Sequence, residues 1–393
     1  MNKQTVRDID VGGKKVLLRV DFNVPIENGK ITDDTRMIYA LPTIRYLLEN
    51  KAAVLIMTHL GRPKGKVVPE LSVRPLVKHL SSLLGQEVLF AGDCGGDESA
   101  RVSSEIKPGQ VALLENTRFY PGEEKNDPEM ARKLAGLADI YVNDAFGAAH
   151  RAHASTEGVA RYLPAVAGFL LEKELNVLSG IVNNAERPFI VVLGGAKISD
   201  KLPVIKRLLD RVDAMLVGGG LANTLLKASG KETGKSLVEE DKLAEAGSIL
   251  REAAEAGKEM LLPGDVVVAD RFSAGAQARV VQAGSIPADW MVLDIGPETV
   301  KTYARAIGQA KTVFWNGPLG VYEFERFACG TNEIAKAVAE AKAKTVIGGG
   351  DVVAAVEKTG LADRIYHIST GGGASLEFLE GRTLPGVAVL QEK

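Results

Sequence analysis

Basic side chains recur directly after the short apolar runs in the first half of the sequence. The recurring residues are Arg36, His59, Arg62, Arg118, His150 and Arg151. Guanidinium groups bind phosphate or carboxylate through two parallel hydrogen bonds, so a cluster of them suits a compact anion. A single arginine of this kind would be interpreted as a solvated surface charge, but the recurrence predicts an anion site. Asp21 and Asn23, after the first run, are predicted to accept hydrogen bonds from a substrate hydroxyl.

Glycine takes the corresponding positions in the second half of the sequence. Five glycine-rich runs follow apolar runs, at 194–197, 218–220, 316–320, 348–351 and 369–373. Glycine lets the backbone approach a ligand closely, and the free N–H groups at a helix N-terminus attract anions. We expect each run to open a helix, with Lys197 and Lys201 on one helical face after the first run. This half therefore predicts a polyphosphate site.

Familiar nucleotide-binding fingerprints are missing from the sequence. No stretch satisfies Gly-x-Gly-x-x-Gly, because Asn223 stands where the third glycine should follow Gly218 and Gly220. The stretch 230–236 approaches a Walker A motif but has one residue too few between its glycines. A Rossmann dehydrogenase and a P-loop ATPase therefore both lose support. His150 and His153 have no third ligand nearby and are not predicted to bind a metal.

Alternating strands and helices must position these loops. Apolar runs predict buried parallel strands at 15–20, 53–58, 111–115, 139–144, 189–195, 214–219, 312–317 and 345–350. Helical patterns lie between them at 36–49, 128–137, 241–256 and 331–342. This alternation predicts right-handed crossovers, hence an α/β fold with two doubly wound parallel-sheet (Rossmann-like) domains joined by a helix and hinge.

Two domains are expected because 393 residues exceed what one hydrophobic core usually supports. The best boundary is a helical pattern at 170–187, which ends in an asparagine-rich stretch and a proline. This helix could instead be one more crossover inside a single sheet. We prefer two domains, because about eight or more parallel strands would strain the twist of one sheet.

Composition narrows the function classes further. The net charge of -2 gives no whole-protein argument for nucleic acid or membrane binding. Cys94 and Cys329 are the only two cysteines, which fits a reducing cytosol rather than a disulfide framework. The first ten residues lack the apolar core of a signal peptide, and no apolar run approaches the ~20 residues that span a bilayer. We expect a cytoplasmic protein.

Taken together, these segments resemble the phosphoglycerate kinase family along the whole chain. The matching segments are RVDFNVP, HLGRPKG, LLENTRFYPGEEKND, YVNDAFGAAHRAHAS, LGGAKISDK, VGGGLANT, WNGPLGVYE, GGGD and STGGGASLEFL. The resemblance implies a substrate domain at 1–170, an interdomain helix at 171–186 and a nucleotide domain at 187–372. It also implies that the segment 373–393 packs back on the first domain.

The resemblance implies phosphoryl transfer from 1,3-bisphosphoglycerate to MgADP, giving 3-phosphoglycerate and MgATP. The implied acid-binding residues are Asp21, Phe22, Asn23, Arg36, His59, Leu60, Gly61, Arg62, Arg118 and Arg151. The implied nucleotide-binding residues are Gly195, Lys197, Lys201, Gly219, Asn316, Glu323, Gly350, Asp351, Val352 and Val353. Among these, Glu323 matches the ribose contact and Asp351 the residue that orients Mg2+, the cofactor bound with the nucleotide. The implied catalytic residues are Arg36, Lys197, Gly371, Gly372 and Gly373.

One position departs from the family pattern. Val352 follows the Asp of GGGD, where the family usually has Ser or Thr, so a hydroxyl able to touch a nucleotide phosphate is absent. We expect activity to persist through backbone N–H contacts at that helix start. The rival functions are an NAD-dependent dehydrogenase, disfavoured by the missing fingerprint, and a phosphometabolite-binding protein without catalysis. The resemblance also implies a monomer.

Overall fold

The computed structural model describes residues 2–27 and 29–393. It contains two parallel β-sheets, each in its own structural unit. The first unit comprises Met1–Asn176 and Arg382–Lys393, and the second comprises Val177–Gly381. The last twelve residues thus belong to the first unit although the second precedes them in sequence. Several hydrogen bonds attach this segment, including Asn143 Nδ2 to the Gly386 carbonyl at 2.8 Å.

The strands are numbered in chain order. They are β1 (Lys15–Arg19), β2 (Ile26–Glu27), β3 (Lys30–Ile31), β4 (Ala53–Met57), β5 (Val88–Ala91), β6 (Val111–Leu114), β7 (Ile140–Asn143), β8 (Ala165–Ala167), β9 (Phe189–Leu193), β10 (Ala214–Val217), β11 (Glu259–Leu261), β12 (Asp265–Ala269), β13 (Ala278–Gln282), β14 (Met291–Ile295), β15 (Thr312–Asn316), β16 (Lys344–Gly348) and β17 (His367–Ile368). The sheet of the first unit has the order β5-β6-β4-β1-β7-β8, and that of the second has β11-β10-β9-β15-β16-β17. Every pairing in both sheets is parallel, which confirms the predicted fold class.

The helices connect these strands. They are α1 (Thr35–Glu49), α2 (Arg74–Leu84), α3 (Asp97–Glu105), α4 (Pro128–Ala135), α5 (Phe169–Asn184), α6 (Leu202–Leu209), α7 (Gly219–Ala228), α8 (Leu243–Glu255), α9 (Pro297–Gln309), α10 (Cys329–Glu340), α11 (Gly350–Lys358), α12 (Gly373–Leu379) and α13 (Pro385–Ala388). The predicted helix near 170–187 corresponds to α5, and the division between the units falls within it, after Asn176.

Local sequence signals explain where several helices begin and end. Asp127 caps α4 by accepting a hydrogen bond from Met130 N at 2.8 Å, and Pro128 supplies the first residue of that helix. Gly85 ends α2 in the left-handed conformation, with φ of 70°. These short-range devices need no tertiary contact, so the helix boundaries they set follow from the sequence alone.

Each unit has its own hydrophobic core between its sheet and its helices. In the first unit, Val16 and Leu18 of β1 and Ile56 of β4 pack with Met37 and Ile44 of α1. The core of the second unit comprises, among others, Val192, Val313, Trp315, Ile347 and Val352. Because the central strands are buried along their whole length, they show continuous apolar runs rather than alternation.

An antiparallel sheet in the second unit was not predicted. Its three strands lie in the order β13-β12-β14. Continuous apolar runs predict only strands that are covered on both faces. In contrast, β13 is largely exposed and β14 contains the acidic residue Asp294. The predicted parallel strands are present, but all eight end one or two residues earlier than predicted, because the residues that follow already form the loops at the strand ends.

None of the helices in residues 2–27 and 29–393 combines the length and the apolar character that crossing a bilayer requires.

Candidate active site

The predicted anion-binding residues of the first unit do lie at one edge of its sheet. The loops after β1, β4, β6 and β7 carry them, and these four strands are neighbours in the sheet. Arg19 pairs with Met57 and with Asn143 in register, so three of the strands end at the same level. The carboxyl edge of such a sheet is where open α/β folds bind ligands.

Asp21 and Arg36 form a partly buried ion pair in the first of these loops. Arg36 Nη1 lies 2.5 Å from Asp21 Oδ2, and the Asp21 side chain is 11% exposed. Burial alone would raise the pKa of Asp21, but its electrostatic interactions with the neighbouring His59, Arg36 and Arg19 outweigh burial and leave the pKa below its usual value. Asn23 accepts a hydrogen bond from Gly61 N at 2.8 Å, which ties the loops after β1 and β4 together.

Three further arginines differ in how firmly they are held. Arg118 donates from Nη1 to the Gly61 carbonyl at 2.9 Å, and its Nε lies 3.4 Å from a Glu124 carboxylate oxygen. Arg151 is exposed, and its Nε contacts His150 Nε2 at 3.2 Å. Arg62 is exposed, and no hydrogen bond of its guanidinium is found within residues 2–27 and 29–393. The edge therefore combines an arginine fixed to the backbone with two that are open to solvent.

Two residues of the predicted acid-binding set have side chains in the core. Phe22 is completely buried and Leu60 nearly so, and both belong to the hydrophobic cluster of the first unit. The backbone N–H of Phe22 is already used, since it donates to Thr58 Oγ1 at 2.8 Å. Any contact that these two residues make with a ligand therefore has to come from their remaining backbone groups.

In the second unit, all five glycine runs lie at one sheet edge, after the adjacent strands β10, β9, β15, β16 and β17. Their glycines allow the loops to approach one another as well as a ligand. A Cβ on Gly194 would lie 2.1 Å from the Pro318 carbonyl oxygen, and one on Gly219 would lie 2.7 Å from the Gly195 carbonyl oxygen. These contacts leave no room for a side chain, so part of the glycine pattern serves loop packing.

The expectation that every glycine run opens a helix is wrong for two of the five. The runs at 218–220, 348–351 and 369–373 do lead into α7, α11 and α12. The run at 316–320 is followed by an irregular segment, and α6 begins only at Leu202. Lys197 and Lys201 therefore lie in the loop before α6 and not on one helical face, because this loop first packs against the loop after β15.

The two lysines have different surroundings. Lys197 is exposed, whereas Lys201 is 9% exposed and its Nζ is hydrogen-bonded to Asn316 Oδ1. Asn316 in turn donates to the Gly348 carbonyl. Burial lowers the pKa of Lys201, against the opposing pull of Asp200 and Asp351. Lys201 is thus held at the strand edge by Asn316, whereas the Lys197 side chain is open to solvent.

A cavity of about 470 Å3 opens beside these loops. Gly195, Gly219, Glu323 and Asp351 of the predicted nucleotide set line it. Its remaining wall is mostly apolar and includes Leu237, Phe272, Met291 and Leu293. A cavity of this size, apolar with a few polar groups at one side, suits an aromatic base joined to a polar sugar and phosphates.

Comparison with known proteins agrees with this arrangement. The family model described as phosphoglycerate kinase matches residues 6–382. A phosphoglycerate kinase of Moorella thermoacetica is 58% identical over 393 residues, and one of a Roseiflexus species is 60% identical over 394, with complete coverage of both chains in each case. The solved structure of phosphoglycerate kinase from Coxiella burnetii has a TM-score of 0.90 at 44% identity, and that from Pyrococcus horikoshii has 0.86 at 37%. Both cover 98% of each chain.

The chain belongs to the phosphoglycerate kinase family. This confirms the resemblance seen in the sequence and makes the protein a phosphotransferase with a carboxyl group as acceptor, of the kind used in glycolysis. The rival functions of a dehydrogenase or of a binding protein without catalysis are not favoured by these relatives.

The position at which the chain departs from the phosphoglycerate kinase pattern is occupied by a core residue. Val352 lies in the first turn of α11, is completely buried and belongs to the hydrophobic cluster of the second unit. Asp351, the residue before it, is exposed to solvent. The helix start therefore presents a carboxylate and backbone N–H groups to the edge while its valine packs inward.

Sequence reasoning missed two groups of residues near these sites. The apolar cavity wall comes partly from the unpredicted antiparallel sheet, so Met291 and Leu293 had no visible role. Arg19, the last residue of β1, was included only as part of a strand, although it is completely buried. A charged residue in an otherwise apolar strand was the available signal, since charges are almost never fully buried without partners.

Proposed function

We propose that this chain catalyses the reversible transfer of a phosphoryl group from 1,3-bisphosphoglycerate to MgADP, giving 3-phosphoglycerate and MgATP. One observation supports it above the others. Each unit has a ligand-binding sheet edge of its own, one rich in arginine and the other in glycine, lysine and apolar cavity wall. A small phosphorylated acid suits the first edge and a nucleotide suits the second.

The acid is proposed to bind at the edge of the first unit. Arg62, Arg118 and Arg151 supply guanidinium groups for its phosphate, and Asp21 and Asn23 supply acceptors for its hydroxyl. The two exposed arginines can reorient toward a ligand, whereas Arg118 is already held by the Gly61 carbonyl. Bidentate hydrogen bonds from these guanidinium groups to the phosphate bind the acid without requiring a positive net charge on the protein.

The nucleotide is proposed to bind at the edge of the second unit. The apolar cavity receives the base, Glu323 at its rim contacts the ribose, and the loops after β9 and β10 approach the phosphates. Lys197 and Lys201 neutralise phosphate charge. The backbone at Gly350–Val353 adds N–H donors from the start of α11, where the helix dipole also favours an anion.

Asp351 fits the role of the Mg2+ partner. Its carboxylate is exposed, lines the cavity and has no ion pair within the described residues. No cluster of three or more His, Cys, Asp or Glu side chains suited to a metal is found in residues 2–27 and 29–393. Both facts suit Mg2+, which usually binds through one or two carboxylates and the phosphates of a substrate. When bound, the ion would neutralise charge on the nucleotide phosphates.

No general base is required for this reaction. The group that leaves, or in the reverse direction attacks, is a carboxylate, which has no proton to lose at neutral pH. The barrier lies in bringing anions together and in stabilising the charge on the phosphoryl oxygens during transfer. We assign that stabilisation to Arg36, to Lys197 and to the backbone N–H groups around Gly371–Gly373, where the chain enters α12.

Because the acid-binding and nucleotide-binding residues belong to different units, transfer between the two substrates is proposed to need closure of the units around them. Closure would exclude water from the transferring group. We further propose that the protein acts as a monomer in the cytoplasm. Its two cysteines, Cys94 and Cys329, are both free, in keeping with a reducing compartment.

A coupled assay of ATP formation from 1,3-bisphosphoglycerate and MgADP tests the proposal. We expect ATP to form only when both substrates and Mg2+ are present. Binding of either substrate without ATP formation would instead show a phosphometabolite-binding protein. Omission of each component in turn is the control, because it separates transfer from hydrolysis of the acyl phosphate.

A further inference from the structure

Arg19 is a buried cation directly behind the acid-binding edge. It is the last residue of β1 and is completely buried. No carboxylate lies within ion-pair distance of its guanidinium in the part of the chain that the structure describes. A charge in such a place needs hydrogen-bonding partners that hold it, and the structure shows three of them.

The partners fix both the position and the orientation of the Arg19 guanidinium. Its Nε donates to Ser155 Oγ at 2.8 Å, and its Nη1 donates to the Val20 carbonyl. Ser155 is held in turn by Glu123, which accepts from Ser155 Oγ at 2.5 Å and from Ser155 N at 2.9 Å. Glu123 is also completely buried. Glu123 therefore holds Ser155 in place, and Ser155 in turn holds the Arg19 guanidinium.

The third partner of Arg19 is the imidazole of His59. Nη2 of Arg19 lies 3.2 Å from His59 Nδ1. Arginine has five N–H donors and no acceptor, so Nδ1 must be the unprotonated nitrogen in this contact. A neutral imidazole whose Nδ1 accepts carries its hydrogen on Nε2. In the described part of the chain Nε2 has no hydrogen-bond partner, and it is not among the fully buried unpaired atoms.

We infer that Arg19 is a positioning residue that holds His59 as the Nε2–H tautomer, so that His59 is a fixed hydrogen-bond donor toward the bound acid. This inference rests on the proposed function for the identity of the ligand. It differs from an acid–base role, because the His59 proton stays on Nε2 throughout. His59 then supports binding in the same way at every pH in the working range of the enzyme.

The charges that face His59 agree with a neutral ring. They are Asp21 after β1, Arg19 on β1, Arg36 on α1 and Arg118 after β6. Burial of the ring is the largest influence and holds the pKa of His59 well below its ordinary value of 6.5, and the three arginines act in the same direction. Only Asp21 opposes them. The ring therefore stays uncharged where an exposed histidine would titrate.

The tautomer can be observed directly in the full-length protein without substrate. A long-range 1H–15N spectrum of the five histidines shows which nitrogen of each ring carries the proton, and His59→Gln identifies the signals of His59. We expect a pyridine-like Nδ1, a pyrrole-like Nε2 and a His59 pKa below that of an exposed histidine. A proton on Nδ1, or an imidazolium near pH 7, would overturn the inference.

Variants of Arg19 test whether it is the cause. In Arg19→Met, His59 loses both its donor and a repelling charge, so its pKa should rise and its neutral form should sample both tautomers. At pH values above the His59 pKa of this variant, we expect kcat/KM for 3-phosphoglycerate to be about 10- to 100-fold lower than in the wild type. A loss of this size is typical when a charge-assisted hydrogen bond is removed. This loss should become smaller as the pH falls through the raised His59 pKa, because the imidazolium again donates from Nε2. Arg19→Lys should restore part of the wild-type tautomer signal.

A folded Arg19→Met protein with an unchanged His59 tautomer and an unchanged pH profile would contradict the inference. If that variant does not fold, Ser155→Ala loosens the same arginine more mildly, and the wild-type spectrum still decides the tautomer. Absence of ATP formation by the wild type would count against the proposed function alone, since the spectrum is recorded without substrate.

Discussion

At the scale of single residues, Lys197 is the side chain on which the proposed chemistry depends most. It is exposed at the strand edge and is not part of a helix, so it can follow a phosphoryl group during transfer. We expect Lys197→Ala to lower kcat by at least ~100-fold, as the loss of one transition-state contact typically does. Steady-state kinetics with both substrates saturating would show it.

The matched control for Lys197→Ala is Lys206→Ala. Lys206 lies on α6 in the same unit and forms an exposed ion pair with Glu245 at 2.6 Å. Exposed pairs of this kind contribute less than about 1 kcal/mol, so turnover should be unchanged. Near-normal turnover of Lys197→Ala itself would remove that lysine from the mechanism.

Val352 is a residue at which stability and binding can be separated. Its side chain is buried in the core, so the hydroxyl of Val352→Thr would be placed among apolar atoms and not at a phosphate. We expect the variant to lose about 1–3 kcal/mol of stability and to keep its KM for ADP within about twofold. Thermal unfolding and initial-rate kinetics measure the two quantities.

Val356→Thr is the control for Val352→Thr, since Val356 is equally buried on the same helix but was not predicted to contact the nucleotide. It should show a similar stability loss without an effect on KM. A lower KM for ADP in Val352→Thr, with unchanged stability, would mean that the hydroxyl does reach the nucleotide.

Whether the sequence could predict the role of these residues depends on how far away in the sequence their partners are. Arg36, Arg118 and Asp21 follow apolar runs, and their location at one edge needed only the parallel-strand rule. The support of Arg19 by Ser155 joins positions 136 residues apart in the chain. Nothing in local composition predicts such a pairing, so Arg19 was included only as part of a strand.

At the scale of elements, the loops after β9 and β15 are interlocked through their glycines. In Gly194→Ala the new methyl group would meet the carbonyl oxygens of Pro318 and Gly317, at 2.1 and 2.5 Å. We expect a stability loss of about 1–3 kcal/mol or more from overpacking, together with a higher KM for ADP. Denaturant unfolding and kinetics would record both.

Gly308→Ala is the control for Gly194→Ala, because Gly308 lies within α9 and a methyl group there would meet no other atom within 4 Å. It should raise stability by up to about 1 kcal/mol through helix propensity. If Gly194→Ala were as stable as Gly308→Ala, the interlocking of the two loops would not matter.

The junction of β14 and α10 contains a buried carboxyl group, that of Asp294. It accepts hydrogen bonds from Ile295 N at 2.9 Å and Gly330 N at 2.8 Å, and burial raises its pKa to about 7. Because the folded state then binds this proton more tightly than the unfolded state, stability should fall as the pH rises from about 4 to 7. We expect Asp294→Asn to remove part of that fall.

Urea unfolding at pH 5 and pH 8 measures the difference between wild type and Asp294→Asn. The variant loses one acceptor and should be less stable at pH 5, but its stability should change less between the two values. A steeper fall in the variant would contradict a raised Asp294 pKa.

The glycine runs show what pattern reasoning can and cannot give for elements. Their position after successive strands was predicted, and three of the five lead into helices as expected. The other two do not, because Gly194 and Gly317 first pack against each other across neighbouring strands. The spacing of glycines indicates that the backbone makes a close contact at that point. It does not indicate whether the contact is with a ligand or with another loop.

At the scale of the whole molecule, the proposed reaction requires two units that each provide half of its binding groups. The arginine edge belongs to the first unit, and the lysines, glycines and cavity belong to the second. The sequence predicted the α/β class because apolar runs mark buried parallel strands. It did not predict the extra antiparallel sheet, whose strands are partly exposed and follow a different pattern.

Small-angle X-ray scattering in solution tests this requirement most directly, with the protein alone, with 3-phosphoglycerate, with a non-hydrolysable MgATP analogue and with both. We expect the radius of gyration to decrease clearly only when both ligands are bound, since only then does one phosphoryl position attract groups from both units. An unchanged radius of gyration, with both sites shown to be saturated, would contradict a reaction shared between the two units.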